Sequence, residues 1–188
     1  MNFDSTVRRL SMLAALILLP PVFGAESYFP NLPAILQDGR QVRFYRDLVA
    51  GKTVVLHSFF ANCHGVCPMM LGKMRSLQEA LGDRLGKDVF LISITVNPAD
   101  DTPRKLDELS KSLGAKPGWV FVSGEQRNID WILYRLGQYF PAKEDHSTML
   151  LVGNERSGVW SKVHASEPLE KILNTIERVS QSGSESPR

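Results

Sequence analysis

Apolar residues recur along this 188-residue chain in two kinds of spacing, which together predict alternating strands and helices. The runs 53–60 and 89–96 are rich in β-branched and aromatic residues with little polar alternation, as expected of strands that are covered on both faces. Between them, from about Cys67 to Leu85, apolar residues recur at helical spacing. The pattern therefore predicts a parallel strand-helix-strand crossover.

Two hairpins are predicted, one before this crossover and one near the end of the chain. In the first, the turn dipeptide Asp38-Gly39 separates two runs that carry apolar residues within 34–44. In the second, a turn rich in Gly and polar residues at 153–158 separates apolar runs at 148–152 and 159–163.

Two further helices and a short strand are predicted between the crossover and the second hairpin. The first helix stops at Gly114, and the strand follows at 119–122. Ser123 and Gln126 have the spacing of a capping box, which predicts the start of the second helix, and Gly137 ends it. This strand and helix form an insertion after the central crossover.

The order of elements is typical of an α/β, thioredoxin-like fold. It combines a central mixed sheet flanked by helices with an extra strand-helix insertion and an N-terminal hairpin. A final helix with its last apolar residue at Val179 completes a single predicted domain at 25–180. The Ser, Gly and Pro content of 181–188 predicts a disordered tail. Fold alone does not define a function.

The first residues have the layout of a secretory signal peptide. Arg8 and Arg9 precede an apolar stretch at 10–23, and the small residue Gly24 favours cleavage after it, so that 1–24 is removed. The stretch is shorter than the ~20 apolar residues of a spanning helix, so an uncleaved membrane anchor is the less favoured alternative. We expect an exported protein.

Charge excludes one class of partner. The formal net charge is +2, and removal of the leader brings it close to neutral without leaving a basic run. Binding of nucleic acid is therefore not expected.

The chain has only two cysteines, Cys63 and Cys67, at the exit of the first buried strand. If Cys67 begins the helix, with Pro68 as an early helical residue, residues four apart lie on one helix face. The thiols can then form a disulfide or bind one soft metal ion. A structural disulfide is an alternative in an exported protein, although so short a loop adds little chain-entropy stabilisation. We expect the helix N-terminus to lower the pKa of Cys67.

Several motifs together resemble one family. They span about Leu36 to Leu173 and lie at predicted turns and strand ends: Gly39, Gly51-Lys52, Cys63-x3-Cys67-Pro68, Val96-Asn97-Pro98, Asp101-Thr102-Pro103, Trp119, Ser123-Gly124 and Asp145-His146-Ser147-Thr148. On these residues the chain is similar to the SCO/SenC family, the thioredoxin-like copper chaperones of cytochrome c oxidase assembly.

The resemblance implies that Cys63, Cys67 and His146 are copper ligands. Two thiolates and an imidazole suit copper(I), and copper(II) would need an added oxygen ligand, whereas structural zinc sites use four protein ligands. The implied function is a metallochaperone that delivers copper to the dinuclear copper centre of the oxidase. The implied partners are the copper-bearing oxidase subunit and other copper carriers. The expected protein is a periplasmic monomer, with a membrane tether as an option.

Two other functions use the same residues. A thiol-disulfide oxidoreductase would use Cys63 and Cys67 as a redox dithiol that keeps partner cysteines reduced. A copper- or redox-responsive protein would instead signal to a partner. His146 is dispensable for a thiol-disulfide oxidoreductase, whereas it is a ligand in the copper site, and this difference distinguishes the two functions.

The chain departs from the family pattern at two positions. His64 stands where the family commonly has Pro, and it is either a solvent-facing residue or an auxiliary ligand that affects the thiols. Asn97 stands where the family commonly has Asp, which removes a carboxylate near the site.

The remaining candidate residues are expected to be structural. His57 lies in the middle of a predicted strand and is expected in the core, and His164 is expected after the last strand without a role. Met70 and Met74 lie on the apolar face of a helix, which favours the core over a methionine copper site. Asp100-Asp101 is expected to form a cap or turn.

Overall fold

The structure, a computed structural model, describes residues 28–63, 65–142 and 147–182. The predicted leader at 1–24 with its cleavage position, and residues 183–188 of the predicted tail, lie outside the described residues. Within the described ranges, no helix is long and apolar enough to cross a membrane.

Seven strands in the described part of the chain form one mixed sheet in the order β2-β1-β5-β4-β3-β6-β7. The strands are β1 (Pro33–Leu36), β2 (Gln41–Arg43), β3 (Thr53–Phe59), β4 (Val89–Thr95), β5 (Trp119–Ser123), β6 (Met149–Asn154) and β7 (Val159–His164). The main helices are α1 (Cys67–Leu81), α2 (Pro103–Ser112), α3 (Gln126–Arg135) and α4 (Leu169–Ser182). Short helical segments lie at Phe44–Val49 and Gly82–Arg84.

The predicted crossover is confirmed. β3 and β4 are parallel and paired from Thr53 opposite Val89 to Phe59 opposite Thr95. All seven residues of β3 are buried, because α1, α2 and α4 pack on one face of the sheet, and α3 and the segment Phe44–Val49 pack on the other. This burial explains why the strand is a nearly continuous apolar run.

Both hairpins are confirmed, and the first is part of the main sheet. β1 pairs antiparallel with β2 on one side and with β5 on the other. β6 and β7 pair antiparallel, and β6 also pairs antiparallel with β3. With helices on both faces and the inserted β5 and α3, the architecture is the predicted α/β, thioredoxin-like one.

Three predicted boundaries change. α1 ends at Leu81 and not at Leu85, because the backbone of Gly82 turns to a positive φ of 51°, which ends a right-handed helix. The capping box at Ser123 and Gln126 is wrong. Ser123 is the last residue of β5, and its hydroxyl donates to the carbonyl of Asp101 at 3.0 Å instead of capping α3. α4 continues to Ser182, so the first two residues of the predicted tail are helical.

Candidate thiol and metal site

The end of β3 carries the chain directly to the two thiols. β3 and β4 finish side by side, and the amide of Val96 donates to the carbonyl of Phe59 at 2.8 Å. A turn follows, in which the amide of Cys63 donates to the carbonyl of Phe60 at 3.3 Å. Cys67 is the first residue of α1. As predicted, the cysteines lie at the carboxyl edge of the parallel strands, where α/β proteins bind ligands.

In the structure the two cysteines are thiols that interact with each other. Cys67 is buried in the apolar core, whereas Cys63 is half-buried. Burial raises the pKa of the Cys67 thiol from its ordinary 9.0 to about 12, and a hydrogen bond with Cys63 acts in the same direction, while the backbone of Phe60 opposes the change.

The expectation that the helix N-terminus lowers the pKa of Cys67 is therefore wrong. The reason is that burial removes the thiolate from water, which disfavours the charged form. Cys67 is a neutral thiol at neutral pH in the metal-free protein, and a metal ion that binds it must displace its proton.

Asp101, which lies between β4 and α2, fixes the turn at 60–63, here called the cysteine turn. Its carboxylate is buried, and Oδ2 accepts hydrogen bonds from the amide of Ala61 at 3.0 Å and from the hydroxyl of Thr95 at 2.5 Å. Asp101 is a turn residue, as predicted: its amide donates to the carbonyl of Asn97 at 2.9 Å, and the next residue, Thr102, caps α2. Its contact with the cysteine turn was not predicted, although a polar residue just beyond the neighbouring parallel strand is the signal that points to it.

Gln138 is a second buried polar residue that sequence reasoning missed. Its Oε1 accepts from the amide and the hydroxyl of Ser58, both at 3.2 Å, and its Nε2 donates to the carbonyl of Met149 at 3.0 Å. The paired register of β3 and β6 stops at Leu56 opposite Leu151. Gln138 therefore joins the two strands beyond their last backbone pair, next to the cysteine edge.

Two predicted core assignments are confirmed. His57 is buried, and its Nε2 lies 2.7 Å from the hydroxyl of Ser93, which also accepts from the indole N–H of Trp119 at 2.9 Å. Met70 and Met74 are fully buried on the core face of α1. These side chains are therefore core residues, as expected.

The remaining histidines divide between the described and the undescribed residues. His164 is the last residue of β7 and not, as expected, beyond it; its ring nitrogens lie 2.8 Å from the hydroxyl of Thr148 and 2.7 Å from that of Ser166. His64 and His146 lie outside the described residues.

Two of the three expected copper ligands are thus brought together. Across 28–63, 65–142 and 147–182, no group of three or more His, Cys, Asp and Glu residues is arranged to hold a metal ion. Because β6 runs antiparallel to β3, its first residue, Met149, lies at the end of the sheet where β3 delivers the cysteines. The two sulfur atoms are soft donors that suit copper(I).

The fold and this site define the class of the protein. A mixed sheet with helices on both faces, and a Cys-x3-Cys pair at a strand-to-helix junction, is the arrangement of thioredoxin-like dithiol proteins. Within that class, the model of the family described as SCO1/SenC matches residues 34–181. The chain belongs to the SCO1/SenC family.

Individual relatives agree with this assignment. A protein of Stutzerimonas stutzeri named "Putative copper-binding protein" is 29% identical over 175 residues, which are 88% of this chain and 79% of the relative. The SCO1 protein homolog of Bacillus subtilis is 30% identical over 89 residues, 47% of this chain and 45% of the relative. The chain thus spans less than half of the second relative.

Solved structures share the fold. A SCO1/SenC family lipoprotein of Bacillus anthracis superposes with a TM-score of 0.69 at 22% identity, covering 81% of this chain and 94% of that one. Arabidopsis thaliana ScoI with copper bound superposes with a TM-score of 0.66 at 21% identity, covering 82% and 97%.

Proposed function

We propose that this protein is a copper metallochaperone that binds copper through Cys63, Cys67 and His146. It delivers the ion to the dinuclear copper centre of cytochrome c oxidase, so its partners are the copper-bearing oxidase subunit and other copper carriers. The observation that carries the proposal is the meeting of two reduced thiols at one sheet edge in a SCO1/SenC protein.

The chemistry of the donors favours copper(I) as the cargo. Thiolate sulfur is soft and polarisable, and it selects copper(I) over harder divalent ions. His146 supplies an imidazole nitrogen as the third donor in this proposal, which leaves a low-coordinate ion that a partner's ligands can approach. Binding at Cys67 releases a proton, since its thiol is neutral before the metal arrives.

The names of relatives support the same cargo. The Stutzerimonas stutzeri relative is named for copper binding, and the structures of ScoI from Arabidopsis thaliana and from Bradyrhizobium japonicum contain copper. Because those two structures are below 25% identical to this chain, we transfer only the hypothesis of a copper site, and the residues proposed for it are this chain's own.

Titration of the reduced protein with copper(I) against a chromophoric chelator tests the proposal. We expect uptake close to one ion per chain, lost in Cys63→Ala and in Cys67→Ala and weakened in His146→Ala. His164→Ala is the control, because this exposed histidine bonds Thr148 and Ser166 and is not a proposed ligand. Wild-type affinity in all three ligand variants would contradict the proposal.

A thiol-disulfide oxidoreductase is the second candidate. It is favoured by the hydrogen bond between the two thiols and by the half-buried position of Cys63, which a partner can reach. A disulfide switch is described for BsSco, a solved member of the Sco family. This function predicts that His146→Ala retains thiol exchange, whereas either cysteine variant abolishes it.

A copper- or redox-responsive signalling role is the third candidate. Oxidase activity in cells that lack the protein distinguishes a signalling role from copper delivery. Delivery predicts a loss of oxidase activity that added copper restores, whereas a signalling role predicts a defect that added copper does not restore.

We further propose that the protein is exported and acts in the periplasm, either after cleavage following Gly24 or held at the membrane by its leader. The solved relative from Bacillus anthracis is described as a lipoprotein, which is consistent with export in the family. The N-terminal sequence and mass of the protein recovered from the periplasm and from the membrane fraction test both options. Recovery from the cytoplasm alone would contradict them.

A further inference from the structure

We propose that Asp101 is a positioning residue for the thiol pair: its buried carboxylate holds the turn that carries Cys63 and so sets the approach of Cys63 to Cys67. The inference deepens the proposed function, and it rests on that function in so far as the two thiols act as one site. It does not depend on which metal, or whether any metal, is bound.

The two thiols are held in different ways. Cys67 begins α1 and is packed in the core with Met70 and Met74, so its position follows from the packing of the helix. Cys63 lies in a turn whose own hydrogen bond, to the carbonyl of Phe60, is 3.3 Å long. The geometry of the pair is therefore most sensitive to whatever fixes the turn at 60–63.

Asp101 provides that fixed point. The amide of Ala61, two residues before Cys63, donates to Asp101 Oδ2 at 3.0 Å. The hydroxyl of Thr95, at the end of β4, donates to the same oxygen, and the amide of Asn97 donates in turn to the Thr95 hydroxyl at 3.0 Å. The cysteine turn is thereby attached to the neighbouring parallel strand.

The backbone of Asp101 is itself fixed on both sides. Its amide donates to the carbonyl of Asn97 at 2.9 Å, and its carbonyl accepts from the hydroxyl of Ser123 at 3.0 Å. Three elements, β4, β5 and the turn before α2, therefore hold the carboxylate in place. A carboxylate on so rigid a support orients its partner more effectively than one on a mobile loop.

The burial of the Asp101 side chain adds to this argument. The side chain is buried, and among the described residues no Lys, Arg or His forms an ion pair with it. A buried carboxylate is costly unless hydrogen bonds compensate it, and bonds from neutral donors to a charged oxygen are about twice as strong as neutral ones. The hydrogen bond from the amide of Ala61 is one of those that compensate the burial of this carboxylate.

The experiment measures how readily the two thiols join, without copper. Reduced protein is equilibrated with oxidised and reduced glutathione, and the fraction of intramolecular disulfide is read from trapped thiols by mass spectrometry. In the reaction, the two thiols and one glutathione disulfide give one Cys63–Cys67 disulfide and two reduced glutathione molecules. The equilibrium constant reports the effective concentration of one thiol at the other.

We expect Asp101→Ala to lower this constant about tenfold, because the turn that carries Cys63 loses the hydrogen bond from Ala61 that attaches it to Asp101. Asp101→Asn retains an oxygen that accepts from Ala61 but loses the charge, and we expect a fall of about threefold. Asn154→Ala is the matched control, because Asn154 is also buried and its side chain makes two hydrogen bonds, with Thr53 and Ser157, at the other end of β3, so its removal leaves Asp101 and its support unchanged.

Three results would overturn the proposal. The first is a wild-type constant in Asp101→Ala. The second is a wild-type constant in Asp101→Asn, even where Asp101→Ala fails to fold. The third is an equal fall in Asp101→Ala and Asn154→Ala. Copper titration of the wild type is a separate measurement. Absence of copper binding there would contradict the proposed function and leave the glutathione result intact.

Discussion

At the scale of single residues, Cys67 gives the metal-free protein a pH-dependent stability. Because burial raises its pKa from 9.0 to about 12, the folded chain keeps this proton to a higher pH than the unfolded chain does. Its contribution to the free energy of unfolding is fully present below about pH 9 and is lost as the pH rises towards about 12.

Denaturant unfolding at about pH 8 and about pH 10.5 measures this effect. We expect the free energy of unfolding to fall more between these two pH values in the wild type than in Cys67→Ala, which lacks the titrating thiol. Equal falls in the two proteins would show that other groups account for the pH dependence.

Residues differ in how far the sequence predicts their environment. The approach of Cys63 and Cys67 follows from local spacing and was predicted. The raised pKa of Cys67 was not, because the helix N-terminus is visible in the sequence, whereas the burial that opposes it comes from packing of distant elements. The contact of Asp101 with Ala61 likewise joins positions 40 residues apart.

At the scale of elements, Gln138 holds β3 and β6 together where their backbone pairing has ended. Gln138→Leu leaves the amide of Ser58 and the carbonyl of Met149 without this partner. We expect the free energy of unfolding to fall by about 1–3 kcal/mol. Because β3 ends and β6 begins at the thiol edge, we also expect copper(I) affinity to fall by roughly 10-fold, the size of effect seen when contacts that support metal ligands are removed.

Gln78 offers a matched control for this prediction. It is also a buried glutamine of α1. Its Nε2 donates to the carbonyl of Gly114 at 2.9 Å, and its Oε1 accepts from the amide of Lys116 at 2.7 Å. Gln78→Leu should lower stability by a similar amount without changing copper affinity. Equal losses of affinity in both variants would mean that general destabilisation, and not the junction of β3 and β6, is responsible.

Element types were predicted better than element ends. The apolar spacing identified α1, but its last turn depends on Gly82, whose positive φ outweighs the apolar pattern that continues to Leu85. The capping box failed because the hydroxyl of Ser123 has a tertiary partner, the carbonyl of Asp101, that competes with the local cap. Short polar motifs are ambiguous for this reason, since several partners compete for one hydroxyl.

At the scale of the whole molecule, copper(I) binding should stabilise the folded chain by mass action. At a free copper(I) concentration about 100 times the Kd, the gain is about 2.7 kcal/mol if the unfolded chain does not bind the ion. For a domain of about 150 residues this corresponds to a rise in Tm of roughly 5–10 °C. Thermal unfolding followed by circular dichroism, with and without buffered copper(I), measures it.

Cys63→Ala provides the control for this measurement. It retains the fold, since Cys63 is only half-buried, and it removes one proposed ligand. The same rise in Tm in wild type and Cys63→Ala would show that copper(I) acts elsewhere on the chain.

The alternation of strand and helix patterns predicted the sheet, its parallel crossover and both hairpins. It did not predict that β1 would pair with β5, because those strands are more than 80 residues apart and nothing local in either one specifies the partner. It also could not show that a single buried amide joins β3 to β6 at the thiol edge.

The central place of β3 has a consequence for hydrogen exchange. β3 has paired strands on both sides and no exposed residue, so its amide protons should exchange only when the whole domain opens. The amide of Cys63, in a partly exposed turn, should exchange through local opening. If copper binds as proposed, opening of the turn alone would release Cys63 from the ion, on a much shorter timescale than unfolding of the sheet that supports the site.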